Sequence, residues 1–122
     1  MQEVKVLVVD DEPGIRELLV DILSPHGYSV FAAADGASAL AIAKREKPEV
    51  AFIDIRMPGM GGVELLAHLK SFLKDIRVII ITGHSGDEAV AETLRLGAFA
   101  CLMKPFSVRD VLEMTEIVRM AA

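Results

Sequence analysis

Five short apolar blocks punctuate the chain, at residues 4–9, 28–32, 50–53, 78–81 and 99–103. Each is strand-sized, and most are apolar on successive residues. Unbroken apolarity is the pattern of strands covered on both faces, as in a parallel sheet between helix layers; a half-solvated strand would alternate. The stretches between the blocks repeat with the helical period. Ile15, Leu18, Leu19, Ile22 and Leu23 fall at i, i+3, i+4, i+7 and i+8, and Leu65, Leu66, Leu69, Phe72 and Leu73 line one helical face in the same way at i, i+1, i+4, i+7 and i+8. Val108, Val111, Leu112 and Thr115 form a third stripe, and shorter ones run over 37–43 and 89–96. Pro13 suits a first helical turn, Gly27 and Gly97 suit helix ends, and Ser38 and Ser107 are candidate N-caps.

Strand and helix thus alternate five times, which predicts a doubly wound α/β sheet with right-handed crossovers. No linker, repeat or low-complexity segment interrupts the alternation. A chain of 122 residues that is 52% hydrophobic supports one core, so residues 1–122 are expected to form a single domain. The stripes establish a fold and leave function open.

Composition removes several function classes. Thirteen Lys and Arg against 18 Asp and Glu give a net charge of −5, so no broad basic surface exists and direct nucleic-acid binding is not expected. Mean hydropathy is positive at +0.44, yet no apolar run approaches the roughly 20 residues of a membrane span. The first apolar block follows Met1 too closely for a secretion signal. The single cysteine, Cys101, forms no internal disulfide and agrees with a reducing cytoplasm.

Ligands of open α/β sheets bind beyond the carboxyl ends of the strands, so the residues just after each block carry the chemistry. Block one ends in Asp10 and Asp11, block three in Asp54, block four in Thr82, and block five in Lys104 and Pro105. Block two ends near Ala33 and Ala34, offers no polar group and reads as an edge strand. One such Asp is usually a cap or loop residue. Three carboxylates at one end of a sheet repel each other and need a cation, and oxygen ligands of this kind suit Mg²⁺. Zinc would favour His or Cys, and His26, His68 and His84 lack metal-ligand spacing. Lys104 closes an apolar strand and has reason to turn inward if an anion sits there. Carboxylate, divalent cation, hydroxyl and lysine together make a phosphoryl-transfer site.

With these residues in view, the chain resembles the response-regulator receiver domains of two-component signalling, the chemotaxis-regulator type among them. VLVVDDEP at 6–13 is similar to the family's acidic-pair motif and DIRMPGMGG at 54–62 to its phosphoacceptor loop; ITGH at 81–84 and KPF at 104–106 complete the set. The resemblance implies a flavodoxin-like five-stranded sheet in the order 2-1-3-4-5 with five helices. It implies Asp54 as phosphoacceptor and Mg²⁺ as cofactor, held by Asp11, Asp54 and the backbone carbonyl of Arg56, with Asp10 acting through water. Thr82 and Lys104 would bind the phosphoryl oxygens, and the Lys104–Pro105 peptide would be cis. Arg56 and His84 stand where the family modulates phosphoryl lifetime.

One position departs from the pattern: Cys101 replaces the aromatic residue that rotates in many receivers, and Phe99 is placed on the same face by strand alternation. The implied partners are a sensor histidine kinase or phosphotransfer protein, a second copy docked through the fourth helix, fifth strand and fifth helix, and a C-terminal effector if the chain is part of a longer regulator. Met114, Ile117 and Met120 extend the last helix's apolar surface. Slow autodephosphorylation would accompany the switch. Two other readings remain: a receiver-like binding module that works without phosphorylation, and an aspartyl-phosphate phosphatase. The adjacent Asp10 and Asp11, with no stretch for a substrate-selecting cap, argue against the phosphatase.

Overall fold

In the computed structural model, which describes residues 3–83 and 88–121, strands β1 (Lys5–Val9), β2 (Ser29–Ala33), β3 (Val50–Asp54), β4 (Arg77–Thr82) and β5 (Ala100–Met103) form one sheet. Its order is β2-β1-β3-β4-β5 and all four pairings are parallel. Helices α1 (Pro13–Leu23), α2 (Gly36–Glu46), α3 (Gly62–Phe72) and α4 (Glu88–Arg95) connect the strands and α5 (Val108–Met120) follows β5, with a 3-10 turn at Ser24–His26.

Alternate residues of each strand feed opposite cores, as the two-residue side-chain period requires. Leu7, Val9, Ala51, Ile53, Val78 and Ile80 pack with Leu65, Leu66 and Leu69 of α3 and Ala39 and Ala43 of α2. Val6, Val8, Val50, Phe52, Ile79 and Ile81 pack with Leu19, Ile22 and Leu23 of α1 and Val111 and Val118 of α5. This two-sided burial explains the unbroken apolar blocks of β1, β3 and β4. The edge strands β2 and β5 are only partly covered, and Ala32 and Met103 face solvent.

The helix stripes are correct in phase but too wide. Leu18 and Phe72 are each 39% exposed and Val108 is 54% exposed; Phe72 and Val108 stand at the ends of their helices, and Leu18 lies at the edge of α1's apolar face. Pro13 occupies the first turn of α1, and Gly27 and Gly97 take the left-handed conformation at φ 88° and 101°. Ser107 caps α5 in a reciprocal capping box with Asp110. Ser38 is not a cap: Asp35 holds that place, and its carboxylate accepts from the Ser38 N–H at 2.8 Å. The acid's Oδ1 satisfies an orphan amide of the first turn, which places the helix start three residues earlier than the Ser38 reading. The Lys104–Pro105 peptide is cis.

Candidate functional site

The carboxyl ends of β1, β3 and β4 deliver Asp10, Asp54 and Thr82 into a common interior, where they are 0%, 4% and 1% exposed. Lys104 enters from the end of β5, half-buried, and its backbone N–H donates to the Thr82 carbonyl at 2.8 Å. The Asp54 carboxylate accepts from the Arg56 N–H at 3.0 Å on Oδ1 and from Lys104 Nζ at 3.2 Å on Oδ2. Asp10 Oδ1 accepts from the Glu12 N–H at 2.9 Å. Asp10 Oδ2 is buried and has no hydrogen-bond partner. Lys104 Nζ lies 3.6 Å from it, a charge contact beyond hydrogen-bond reach.

Close backbone approach shapes the loop that carries Asp54. The Gly62 N–H donates to the Ile55 carbonyl at 3.1 Å, and a Cβ on Gly62 would lie 2.8 Å from Ile55 Cα and 2.9 Å from the Asp54 carbonyl oxygen. The start of α3 can therefore sit beneath the Asp54 loop only with glycine at this position.

Burial raises the Asp10 carboxyl to about 6, and the neighbouring Asp54 adds to the rise while the Glu12 N–H and Lys104 oppose it. Burial works against the Lys104 ammonium, but its bond to Asp54 and the charges of Asp10, Asp54 and Glu12 outweigh that and raise its pKa. Carboxylate oxygens of Asp10, Glu12 and Asp54 lie within 4.8 Å of one another. One ammonium faces three carboxylates, and a buried oxygen waits without a donor. The donor set is all oxygen, so the residues fit a hard divalent cation.

Of the residues expected from sequence, Asp10, Asp54, Thr82 and Lys104 lie at neighbouring strand ends, and Lys104 contacts both acids. Asp11 is exposed and stands outside the cluster of three carboxylates. The Arg56 side chain is exposed while its amide holds Asp54. His84 lies outside the described residues. Cys101 is half-buried, with its thiol pushed up by burial, and Phe99 is 41% exposed just before β5. His26 sits in the 3-10 turn, and exposed His68 lies 3.6 Å from Glu64 on α3, away from the acids.

Sequence reasoning missed Glu12, whose carboxylate lies 3.3 Å from Lys104 Nζ, and Arg16, whose Nη1 donates to the Asp10 carbonyl at 2.8 Å. Their i, i+4 spacing behind the acidic pair was the available signal.

Fold and site together define a doubly wound α/β protein with an acidic, lysine-countered pocket at the carboxyl end of its sheet. The family model of the response regulator receiver domain matches residues 6–116, and the chain belongs to that family. It is 39% identical over 111 residues to sporulation initiation phosphotransferase F of Bacillus subtilis, covering 91% of this chain and 90% of that protein. It is 36% identical over 111 residues to the probable transcriptional regulatory protein TcrX of Mycobacterium tuberculosis, covering 91% of this chain and 47% of that protein. The chain therefore spans about half the length of TcrX. Chemotaxis protein CheY4 of Vibrio cholerae superposes with a TM-score of 0.91 at 34% identity, covering 96% of this chain and 99% of that one.

Proposed function

We propose that residues 1–122 form one receiver unit in which Asp54 accepts a phosphoryl group from the phosphohistidine of a sensor kinase or phosphotransfer protein. The observation that carries this reading is the Asp54 carboxylate itself. It is 4% exposed, held by the Arg56 amide and Lys104, and set beside Asp10, whose second oxygen has no donor. The carboxylate attacks phosphorus, the phosphorus–nitrogen bond of the donor breaks, and the imidazole nitrogen keeps the electron pair and takes a proton. Mg²⁺ would be held by Asp10, Asp11, Asp54 and the Arg56 carbonyl, and when bound it supplies charge neutralisation for the phosphoryl oxygens. Lys104 supplies the second positive charge, and the Thr82 hydroxyl donates to a phosphoryl oxygen. Arg56 and His84, beside the reaction centre in sequence, set how fast water removes the group.

The product carries roughly −1.5 to −2 charges where a single carboxylate stood. Lys104 and Thr82 then have a new common partner, and because the Lys104 amide is bonded to the Thr82 carbonyl, the ends of β4 and β5 move together. A shift between two states propagates to α4, β5 and α5. That face exposes Leu94, Phe99, Met103, Ile117 and Met120, and it would dock a second copy or an effector. No described helix is long and apolar enough to cross a membrane, and a cytoplasmic site of action agrees with the single cysteine.

Intact mass after incubation with Mg²⁺ and a small acyl-phosphate donor tests the reading. Wild type is expected to gain one phosphoryl group that Asp54→Asn does not. A wild type left unmodified, under conditions that modify another receiver, would replace this reading with the phosphorylation-independent binding module. Sustained turnover of added phosphoesters would replace it with the phosphatase.

A further inference from the structure

Asp10 is tied down on three sides. Its N–H donates to the Ala33 carbonyl of β2 at 3.2 Å, its Oδ1 accepts from the Glu12 N–H at 2.9 Å, and its carbonyl oxygen accepts from Arg16 Nη1 at 2.8 Å. Only Oδ2 is left over, and it is the buried oxygen without a donor. Arg16 is half-buried in the first turns of α1, and its own N–H donates to the Glu12 carbonyl at 3.2 Å. One residue thereby holds the acidic loop at both ends.

The carbonyl that Arg16 grips belongs to the planar peptide joining Asp10 to Asp11. Fixing that plane sets the backbone direction from which both acidic side chains leave. We propose that Arg16 is a positioning residue for the cation site: its guanidinium fixes the Asp10–Asp11 peptide so that both carboxylates are presented to Mg²⁺. This rests on the phosphoacceptor reading above.

The sign of the effect separates positioning from simple charge. A guanidinium close to the acidic loop repels a divalent cation, so by Coulomb's law alone its removal tightens Mg²⁺ binding. Loss of an outer partner that orients a ligand weakens metal binding, commonly by about 10–100-fold. The two contributions have opposite directions.

Mg²⁺ affinity is measured by calorimetric titration for wild type, Arg16→Met and Arg16→Lys, alongside metal-free melting temperatures. Met keeps an unbranched stem and removes the donors; Lys keeps the charge and one donor group. Positioning predicts Mg²⁺ binding weakened roughly tenfold in Arg16→Met, partly restored in Arg16→Lys, with Asp54 phosphorylation recovering in Arg16→Met at saturating Mg²⁺. Tighter or unchanged binding in Arg16→Met overturns the proposal, as does a fall in melting temperature with Mg²⁺ affinity intact. If Arg16→Met does not fold, Arg16→Lys decides: affinity below wild type supports positioning and equal affinity overturns it. A wild type that binds no Mg²⁺ defeats the parent reading and the proposal together; a wild type that binds and is phosphorylated while the variants match it defeats the proposal alone.

Discussion

The two ends of the sheet treat polar groups differently. At the amino end, Lys5 pairs with Glu46 at 3.2 Å, Lys70 Nζ donates to the Ile76 carbonyl at 2.7 Å, and Arg77 Nη2 donates to the Ala121 carbonyl at 2.6 Å. A cleft of about 430 Å³ opens there beside Lys47, Phe72, Lys74 and Arg77. At the carboxyl end, Asp10, Asp54 and Thr82 are almost wholly buried, and two of the three are acids in contact with one lysine. Among the described residues, each end keeps one buried side-chain polar atom without a hydrogen bond, Arg77 Nε at one and Asp10 Oδ2 at the other. The difference lies in what surrounds them. Arg77 spreads its charge over a guanidinium that is bonded elsewhere, whereas Asp10 is an acid pressed against another acid. Polar groups at the amino end serve the fold; at the carboxyl end the buried Asp10 carboxylate opposes it.

The largest predicted effect breaks the carboxyl end by volume. In Gly62→Ala the new Cβ meets backbone at 2.8 and 2.9 Å, and neither contact is with a flexible side chain that could yield. Stability is expected to fall by about 1–3 kcal/mol, the usual cost of overpacking, and Asp54 phosphorylation should slow because the displaced atoms are its own carbonyl and its neighbour's Cα. Gly14→Ala, which meets nothing within 4 Å, is the control. Denaturant melts and adduct formation check both; a Gly62→Ala protein as stable as Gly14→Ala would show that α3 does not constrain the loop.

The next effect concerns charge. Asp10 titrates near 6 in the fold against 3.8 unfolded, so the folded state holds the proton more tightly between those values. The protonated carboxyl's contribution to stability is fully present below the unfolded value and is lost as pH rises through about 6. Above that, ionised Asp10 weighs against the fold by up to about 3 kcal/mol, at about 1.4 kcal/mol for each unit of displacement. That displacement is already net of the attraction to Lys104, and a buried Asn amide, which needs partners of its own, recovers only part of it. In metal-free buffer at pH 7–8, Asp10→Asn should therefore stabilise by about 1–2 kcal/mol and flatten the decline between pH 4 and 6. Added Mg²⁺ should close the gap, because wild type gains the binding energy and the variant gains less. An Asp10→Asn protein less stable than wild type without metal would end the account of a strained acidic end.

Much of this contrast was legible in the residues. Unbroken apolar runs gave the strands because β1, β3 and β4 are covered on both faces, and Asp10 and Asp54 are the first polar residues beyond two of those runs. Leu18, Phe72 and Val108 belong to the helical stripes yet are largely exposed, because periodicity fixes the phase of a stripe but not its width or its ends. Ser38 was misread because a serine and an aspartate three residues apart are both good caps. Glu12 and Arg16 escaped notice for a different reason. Their contribution depends on contacts with Lys104 and with a backbone carbonyl, and a carbonyl leaves no mark in the sequence. Cys101 announced the loss of an aromatic side chain without saying what fills its place.

The smallest expected effect sharpens the comparison from the amino end. Arg77→Met removes the bond to the Ala121 carbonyl, a loss of about 1 kcal/mol for an ordinary hydrogen bond. It also removes the buried Nε that has no partner, and the stem's packing is retained by Met. Lys70, whose pKa is lowered first by burial and then by the charge of Arg77, is relieved of a repulsive neighbour. These contributions oppose each other, so stability should change by less than about 1 kcal/mol, and Mg²⁺ affinity and Asp54 phosphorylation should stay at wild-type values. Thermal melts with and without Mg²⁺ check this. A response to Mg²⁺ altered by Arg77→Met would mean that the amino end of β4 is coupled to Thr82 at its other end, and the two poles could no longer be treated as independent.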